Sequence, residues 1–115
     1  DDPRYELQQL AMALVRDCRL ICAVRLHMGE MTLRDVAESF VRDAYFSPIR
    51  ARQEALRNVR DPSVMCYTLG KLLLKNVRDG LRARHATWSP RVTHDALLAF
   101  GAPPIALLHD LLLAD

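Results

Sequence analysis

The hydrophobic positions near the start of this chain recur at intervals of three and four residues, the spacing that places side chains on one face of an α-helix. From Tyr5 to about Leu26 this stripe consists of Leu7, Leu10, Ala11, Leu14, Cys18, Ile21 and Cys22. Polar and charged residues fill most of the other positions, as in an amphipathic helix that packs with one side on a core. The pattern predicts one long first helix.

The segment "HMGEMT" interrupts this pattern and contains signals for the end of one helix and the start of the next. Gly29 favours a helix end because glycine adopts the left-handed backbone conformation without steric cost. Thr32 is a typical N-cap, and Asp35 follows three residues later, as in a variant of the capping box. We therefore expect a second helix from Leu33 to about Ala44.

Three further helix starts are marked by a capping side chain directly before a proline: Ser47-Pro48, Asp61-Pro62 and Ser89-Pro90. Proline is tolerated in the first turn, because the N–H group that it lacks would have no intrahelical partner there. The segment "GAPP", residues 101–104, ends one helix and precedes a short last helix that reaches about Leu113. These signals predict six helices.

Signals for β-strands are almost absent, because no segment sustains the alternation of apolar and polar residues that is typical of strands. Repeats of the length found in solenoids and low-complexity segments are also absent from the sequence. We predict an all-α protein, a compact irregular bundle of about six helices, in a single helical domain over residues 1–115. The abrupt start on Asp1 would suit the C-terminal segment of a longer protein.

The helix predicted after Pro62 contains Tyr67 and Gly70 within an otherwise apolar sequence. Its apolar residues form two adjoining stripes, which predicts burial over a broad arc at the centre of the bundle. Glycine costs a helix interior roughly 1 kcal/mol relative to alanine, so Gly70 indicates a close approach to the backbone. Tyr67 is either a core residue whose hydroxyl binds a carbonyl group or part of a binding cleft. Gly70 either packs against a helix or admits a ligand.

The charged residues exclude some classes of partner. The 16 basic and 14 acidic side chains give a formal net charge of +2, and several arginines are followed directly by aspartate. A nucleic-acid-binding domain would cluster its basic residues without matching acids, so we predict no nucleic-acid partner. No apolar run approaches the roughly 20 residues that cross a bilayer, and the N-terminus lacks the features of a signal peptide. We therefore predict no membrane span.

The residues that could carry chemistry do not form a metal or nucleophile motif. Cys18 and Cys22 share a helix face, but they lie inside the apolar stripe without a second close pair, which favours buried free thiols. The histidines lie in four separate segments without HExxH spacing: His27, His85, His94 and His109. We predict no metal ligand and no cofactor held by this chain. An odd cysteine count favours a reducing compartment, with the cytoplasm as the default location.

Two polar spots remain on this otherwise apolar pattern. One is "YTLG", with Tyr67 and Gly70, and the other is "VRLHMGEMT", with Arg25, His27 and Glu30. His27 is either an imidazole that caps the end of the first helix, where the helix dipole favours a cation, or a hydrogen-bond donor that lines a cleft.

Three ordered segments resemble the C-terminal portion of the bacterial domain-of-unknown-function family 885. They are "RLHMGEMTLRDVAESFV", "ARQEALRNVRDPSVMCYTLGKLLL" and "THDALLAFGAPPIALL", and the resemblance begins at about Arg16. That family is similar to the HExxH zinc peptidases of the carboxypeptidase Taq and oligopeptidase kind. The resemblance implies a larger helical metallopeptidase-like fold, in which a full-length parent binds zinc through helices upstream of this segment.

The same resemblance implies roles for four residues. In peptidases of that architecture the C-terminal helices form one wall of the substrate cleft, and a tyrosine of this wall donates a hydrogen bond to the developing oxyanion. Tyr67 is the candidate for this role, and His27 is a second donor near the substrate. Gly70 would let substrate or a neighbouring helix approach, and Arg25 would bind a substrate carboxylate.

Two hypotheses of different classes follow. In the first, the chain is the C-terminal cleft-wall segment of a zinc-dependent peptidase or amide hydrolase that acts on a peptide-like substrate. Its partner is then the remainder of the parent polypeptide. In the second, the chain is a non-catalytic helical interaction or dimerisation module that docks on a partner chain or on a copy of itself. Both predict an exposed apolar patch, and they differ over whether Tyr67 and His27 converge on it.

Overall fold

The computed structural model describes residues 2–113, which contain six α-helices and no β-strand, as the all-α prediction requires. The helices are α1 (Pro3–His27), α2 (Leu33–Ala44), α3 (Pro48–Arg60), α4 (Cys66–Arg84), α5 (Pro90–Leu98) and α6 (Ile105–Leu113). A short 3-10 helix, Pro62–Met65, precedes α4. The chain divides into two compact units, one up to Leu69 and one from Gly70 onward, so the boundary falls inside α4.

The capping signals in the sequence act as predicted. The hydroxyl of Thr32 accepts a hydrogen bond from the backbone N–H of Asp35, and the Asp35 carboxylate accepts one from the backbone N–H of Thr32. The Thr32 hydroxyl thereby satisfies the N–H of Asp35, which has no partner within the helix. Gly29 has a φ of 77°, and Ser47 and Ser89 cap α3 and α5. These short-range contacts fix where α2, α3 and α5 begin.

The helix predicted to begin at Pro62 starts with one turn of 3-10 helix, and α4 begins at Cys66. The Asp61 carboxylate accepts hydrogen bonds from both the backbone N–H and the hydroxyl of Ser63, which closes a tight local turn before α4. Tyr67 is consequently the second residue of α4 and lies in its first turn, at the N-terminal end where the sequence places it.

The core of the first unit lies between α1, α2 and α3. Its buried side chains are Val15, Cys18, Cys22, Val36, Phe40, Ala44, Ala51 and Ala55. The contributions from α3 to this core are alanines four residues apart, so α3 can approach its neighbours closely. Cys18 and Cys22 are buried free thiols, as predicted.

An ion pair joins α1 to α3 at the edge of this core. The Arg19 guanidinium donates from Nε and Nη2 to the two carboxylate oxygens of Glu54, at 2.9 and 2.7 Å. Both side chains are only 12% exposed. The hydrogen bonds with Glu54 raise the pKa of Arg19, against the opposing effect of burial. The pair is bidentate, the geometry in which arginine binds carboxylate most strongly.

The core of the second unit is smaller and lies between the C-terminal half of α4, α5 and α6. Its buried residues are Val77, Leu81, Leu97 and Leu108. The prediction that α4 is buried over a broad arc is wrong, because its other large apolar residues are exposed: Tyr67, Leu69, Leu72, Leu73 and Leu74. Nine residues each make α5 and α6 only about 13 Å long, whereas the 19 residues of α4 span about 28 Å. Such short helices cover one stripe of α4.

The glycine of α4 that a neighbouring side chain approaches is Gly80 rather than Gly70. A Cβ atom built at Gly80 would lie 2.7 Å from Cδ1 of Leu113, closer than non-bonded carbon atoms approach. A Cβ atom at Gly70 would lie 3.7 Å from Cδ1 of Ile105, which is an ordinary contact. In the second unit, therefore, no close packing requires a glycine at position 70.

We expect Gly70→Ala to stabilise the protein by about 0.5–1 kcal/mol, because alanine favours a helix interior and the new methyl group has room. Gly80→Ala is the matched control. It gains the same helix propensity, but it must displace the end of the Leu113 side chain, so its net effect is smaller or unfavourable. Urea unfolding of the two variants measures the difference. Destabilisation by Gly70→Ala would mean that a group approaches its backbone closely.

Glu54→Gln leaves the Arg19 guanidinium without a compensating charge in a mostly buried position. We expect a loss of about 3 kcal/mol in the free energy of unfolding, at the lower end of the range for broken buried pairs, because the amide oxygen still accepts one hydrogen bond. Glu38→Gln is the control, since the Arg34–Glu38 pair is exposed at 87% and 62%. It should change stability by less than about 1 kcal/mol. Equal effects of the two substitutions would contradict the prediction.

Candidate functional site

The candidate site lies on the first unit, where the first turn of α4 meets the middle of α1. The hydroxyl of Thr68 donates a hydrogen bond to the Asp17 carboxylate at 3.0 Å. Next to it, Tyr67 is 58% exposed, and its hydroxyl forms no hydrogen bond within residues 2–113. Tyr67 is therefore not the core tyrosine with a carbonyl partner that one interpretation of the sequence predicted. Its phenol group is accessible at the surface.

Arg19 provides the charged surroundings of this tyrosine. Besides the hydrogen bonds and charge of Glu54, a smaller electrostatic interaction with Tyr67 contributes to the raised pKa of Arg19. The guanidinium is held by both carboxylate oxygens of Glu54, so its position is fixed and its charge is balanced. Sequence analysis missed this ion pair, whose members are 35 residues apart. The signal in the sequence was a basic residue, Arg19, and an acidic residue, Glu54, each at a helix position that faces inward.

His27 is the last residue of α1, and its Nε2 atom lies 3.1 Å from the backbone carbonyl oxygen of Asn58 on α3. Asn58 itself is fully buried, and its side-chain Nδ2 donates to the carbonyl oxygen of Glu54 at 2.8 Å. The imidazole thus links α1 to the last turn of α3. This contact explains His27 structurally, and a contact with a ligand stays a prediction.

Arg25 forms an exposed ion pair with Glu30, at 3.2 Å between Nε and Oε2. Within this unit its guanidinium meets a carboxylate of the same chain, in the segment "VRLHMGEMT" that the sequence singled out. The side chains of Arg25 and Glu30 are 53% and 48% exposed, so their ion pair contributes little to stability. Arg25 can therefore exchange Glu30 for another carboxylate.

Within residues 2–113, no hydrogen bond joins Tyr67 to His27. Tyr67 interacts electrostatically with Arg19 of α1. His27 lies eight residues beyond Arg19 on α1, which is about 12 Å along the helix axis. Arg19 and His27 both lie on the side of α1 that faces α3, because Arg19 contacts Glu54 and His27 contacts Asn58. The two residues thus mark the ends of a seam between α1 and α3. Gly70 belongs to the second unit.

The site contains no set of residues for a divalent metal. Within residues 2–113 no group of three or more histidine, cysteine, aspartate or glutamate side chains is placed to hold an ion. A catalytic zinc ion requires three such ligands, so the residues present do not fit zinc. In the same part of the chain, no helix has the length and apolar character needed to cross a membrane.

Comparison with known proteins identifies the family. The model of a bacterial protein family of unknown function, DUF885, matches residues 1–112. No curated protein and no solved structure matches the chain. The match extends over nearly all of the sequence and confirms the resemblance to family 885, whereas the similarity to HExxH peptidases stays a prediction. The chain belongs to the DUF885 family of bacterial proteins of unknown function.

Proposed function

We propose that this chain forms one wall of the substrate cleft of a helical hydrolase of the zinc-peptidase type, and that Tyr67 presents its hydroxyl group to the substrate. The observation that carries the proposal is the exposure of Tyr67, whose hydroxyl has no hydrogen-bond partner within residues 2–113. The zinc ligands would lie outside these residues, because the described ones do not form a ligand set.

The surroundings of Tyr67 suit a positioned donor. Tyr67 lies in the first turn of α4, which the Thr68–Asp17 hydrogen bond fixes against α1. In amide hydrolysis negative charge develops on the carbonyl oxygen of the substrate, and a preorganised O–H donor stabilises that charge more than it stabilises the ground state. Arg19, which is paired with Glu54, interacts electrostatically with Tyr67.

The seam between α1 and α3 gives a second reason to propose a peptide substrate. An extended peptide advances about 3.3–3.6 Å per residue, so three to four residues cover the roughly 12 Å between the two ends of the seam. A peptide whose scissile bond lies at Tyr67, beside Arg19, would therefore meet His27 three to four residues away. His27 can hydrogen-bond to its backbone, and Arg25 can exchange Glu30 for its carboxylate.

Tyr67→Phe tests this role. We expect the full product of the reading frame that encodes this chain to hydrolyse members of a mixed peptide library. Tyr67→Phe should slow that reaction by about 100- to 1,000-fold, the effect of removing one oxyanion donor. Tyr5→Phe is the matched control, because Tyr5 is also exposed, at 71%, but lies near the start of α1. Mass spectrometry of the cleaved peptides gives the rates.

The same experiment is run on residues 1–115 alone, for which we expect no hydrolysis. An unchanged rate with Tyr67→Phe would show that the hydroxyl does not act on the substrate. Hydrolysis by residues 1–115 alone would place the catalytic machinery within this chain and would also contradict the proposal. Circular dichroism of each variant confirms that the helices are intact.

A second candidate function, protein interaction, is favoured by a stripe of exposed apolar residues on α1. It consists of leucine and isoleucine residues at helical spacing: Leu7, Leu10, Leu14 and Ile21. Three of them, Leu7, Leu14 and Ile21, are separated by seven residues, as in a helix that packs along another helix. A second copy of the chain would offer the same face and form a symmetric helix pair.

Leu10→Glu tests this second candidate. Leu10 is 58% exposed, so a glutamate there does not disturb the core, but it would place a charge within a helix–helix interface. We expect the chain to dimerise and Leu10→Glu to be monomeric at the same concentration, as measured by sedimentation equilibrium. Gln9→Glu is the control, because it adds the same charge beside the stripe. A wild-type chain that stays monomeric at all concentrations would exclude self-association through α1.

A further inference from the structure

We propose that Cys18, Cys22 and Met31 form a binding site for a soft monovalent metal ion, with Cu(I) as the ion of matching chemistry. The Sγ atoms of Cys18 and Cys22 lie 3.8 Å apart on adjacent turns of α1. Both cysteines and Met31 line one pocket of about 200 Å³ between α1 and α2. Thiolate and thioether sulfur atoms are the ligands that Cu(I) prefers in proteins.

The separation of the two sulfur atoms suits a shared metal ion. With metal–sulfur bonds of about 2.3 Å, a separation of 3.8 Å corresponds to an angle of about 111° at the metal. This angle lies between the values for tetrahedral and trigonal coordination, and the second of these needs only one further ligand. Met31 packs against the cluster that contains both cysteines and lines the same pocket, so we assign its thioether as that ligand.

The helix favours a metal-binding pair over a disulfide bond. Residues four apart on an α-helix have Cβ atoms about 5–6 Å apart, whereas a disulfide requires about 3.5–4.5 Å. Disulfide formation would therefore distort α1.

The ligand set also excludes zinc as the preferred ion. Structural zinc is held by four cysteine, histidine or carboxylate ligands, and within residues 2–113 no group of three such residues is suitably placed. Two thiols and a thioether are sufficient for Cu(I). Binding balances as one Cu(I) ion taken up and two thiol protons released to solvent through the pocket. Two arginines and two aspartates at its rim balance in charge: Asp17, Arg25, Arg42 and Asp43.

The test is anaerobic titration of residues 1–115 with Cu(I) in competition with the chromophoric chelator bathocuproine disulfonate. We expect the chain to withdraw one Cu(I) ion from the chelator. Cys22→Ser should abolish this binding, and Met31→Leu should weaken it while both thiols remain. Cys66→Ser is the matched control, because Cys66 is exposed, and it should bind Cu(I) as the wild type does.

Several results would overturn the proposal: no withdrawal of Cu(I), unchanged binding by Cys22→Ser, loss of binding by Cys66→Ser, or zinc binding of equal affinity. Should Cys22→Ser fail to fold, X-ray absorption of the wild-type complex still decides. Two or three sulfur neighbours around copper support the site, and oxygen or nitrogen neighbours contradict it. The outcome does not depend on the proposed hydrolase role, since the thiols and Tyr67 are probed by separate variants.

Discussion

The first unit depends on the ion pair between Arg19 and Glu54, which fixes α3 against α1. Because α3 offers alanines to the shared core, its apolar contacts alone specify its position along α1 weakly. A bidentate pair that is almost removed from water has one favourable geometry, and a shift by one helical turn would leave two charges buried without partners. The contact of His27 with Asn58, further along the same seam, joins the two helices in this same position.

Local features of the fold could be predicted from the sequence because their causes are local. The caps at Thr32, Ser47 and Ser89 each depend on contacts within three residues, and the structure contains all three. The burial of α4 could not be predicted in this way. Two apolar stripes show that a helix can be buried on both, but which stripe is covered depends on the lengths of α5 and α6 and on where they pack.

The candidate site shows the same division. Tyr67 could be placed near the N-terminal end of its helix from the Asp61-Pro62 signal, whereas its exposure could not, because exposure depends on what packs against α4. Glycine at position 70 indicated a close approach that the structure places at Gly80, beside Leu113. A glycine leaves room for a neighbouring side chain, and only the tertiary structure shows whether a side chain occupies that room. Predicting the Arg19–Glu54 pair would have required knowing that two distant segments of the chain pack together.

Helix α1 is longer than the helices that cover it, and this mismatch accounts for its exposed face. Its 25 residues span about 37 Å, while α2 and α3, with 12 and 13 residues, span about 18–20 Å. Val15 is the first buried residue of α1, and the preceding segment is held at its start by the Asp2 cap. A short helical segment without tertiary packing is only marginally stable in water. The exposed leucines of this segment are the surface that the proposed self-association would bury.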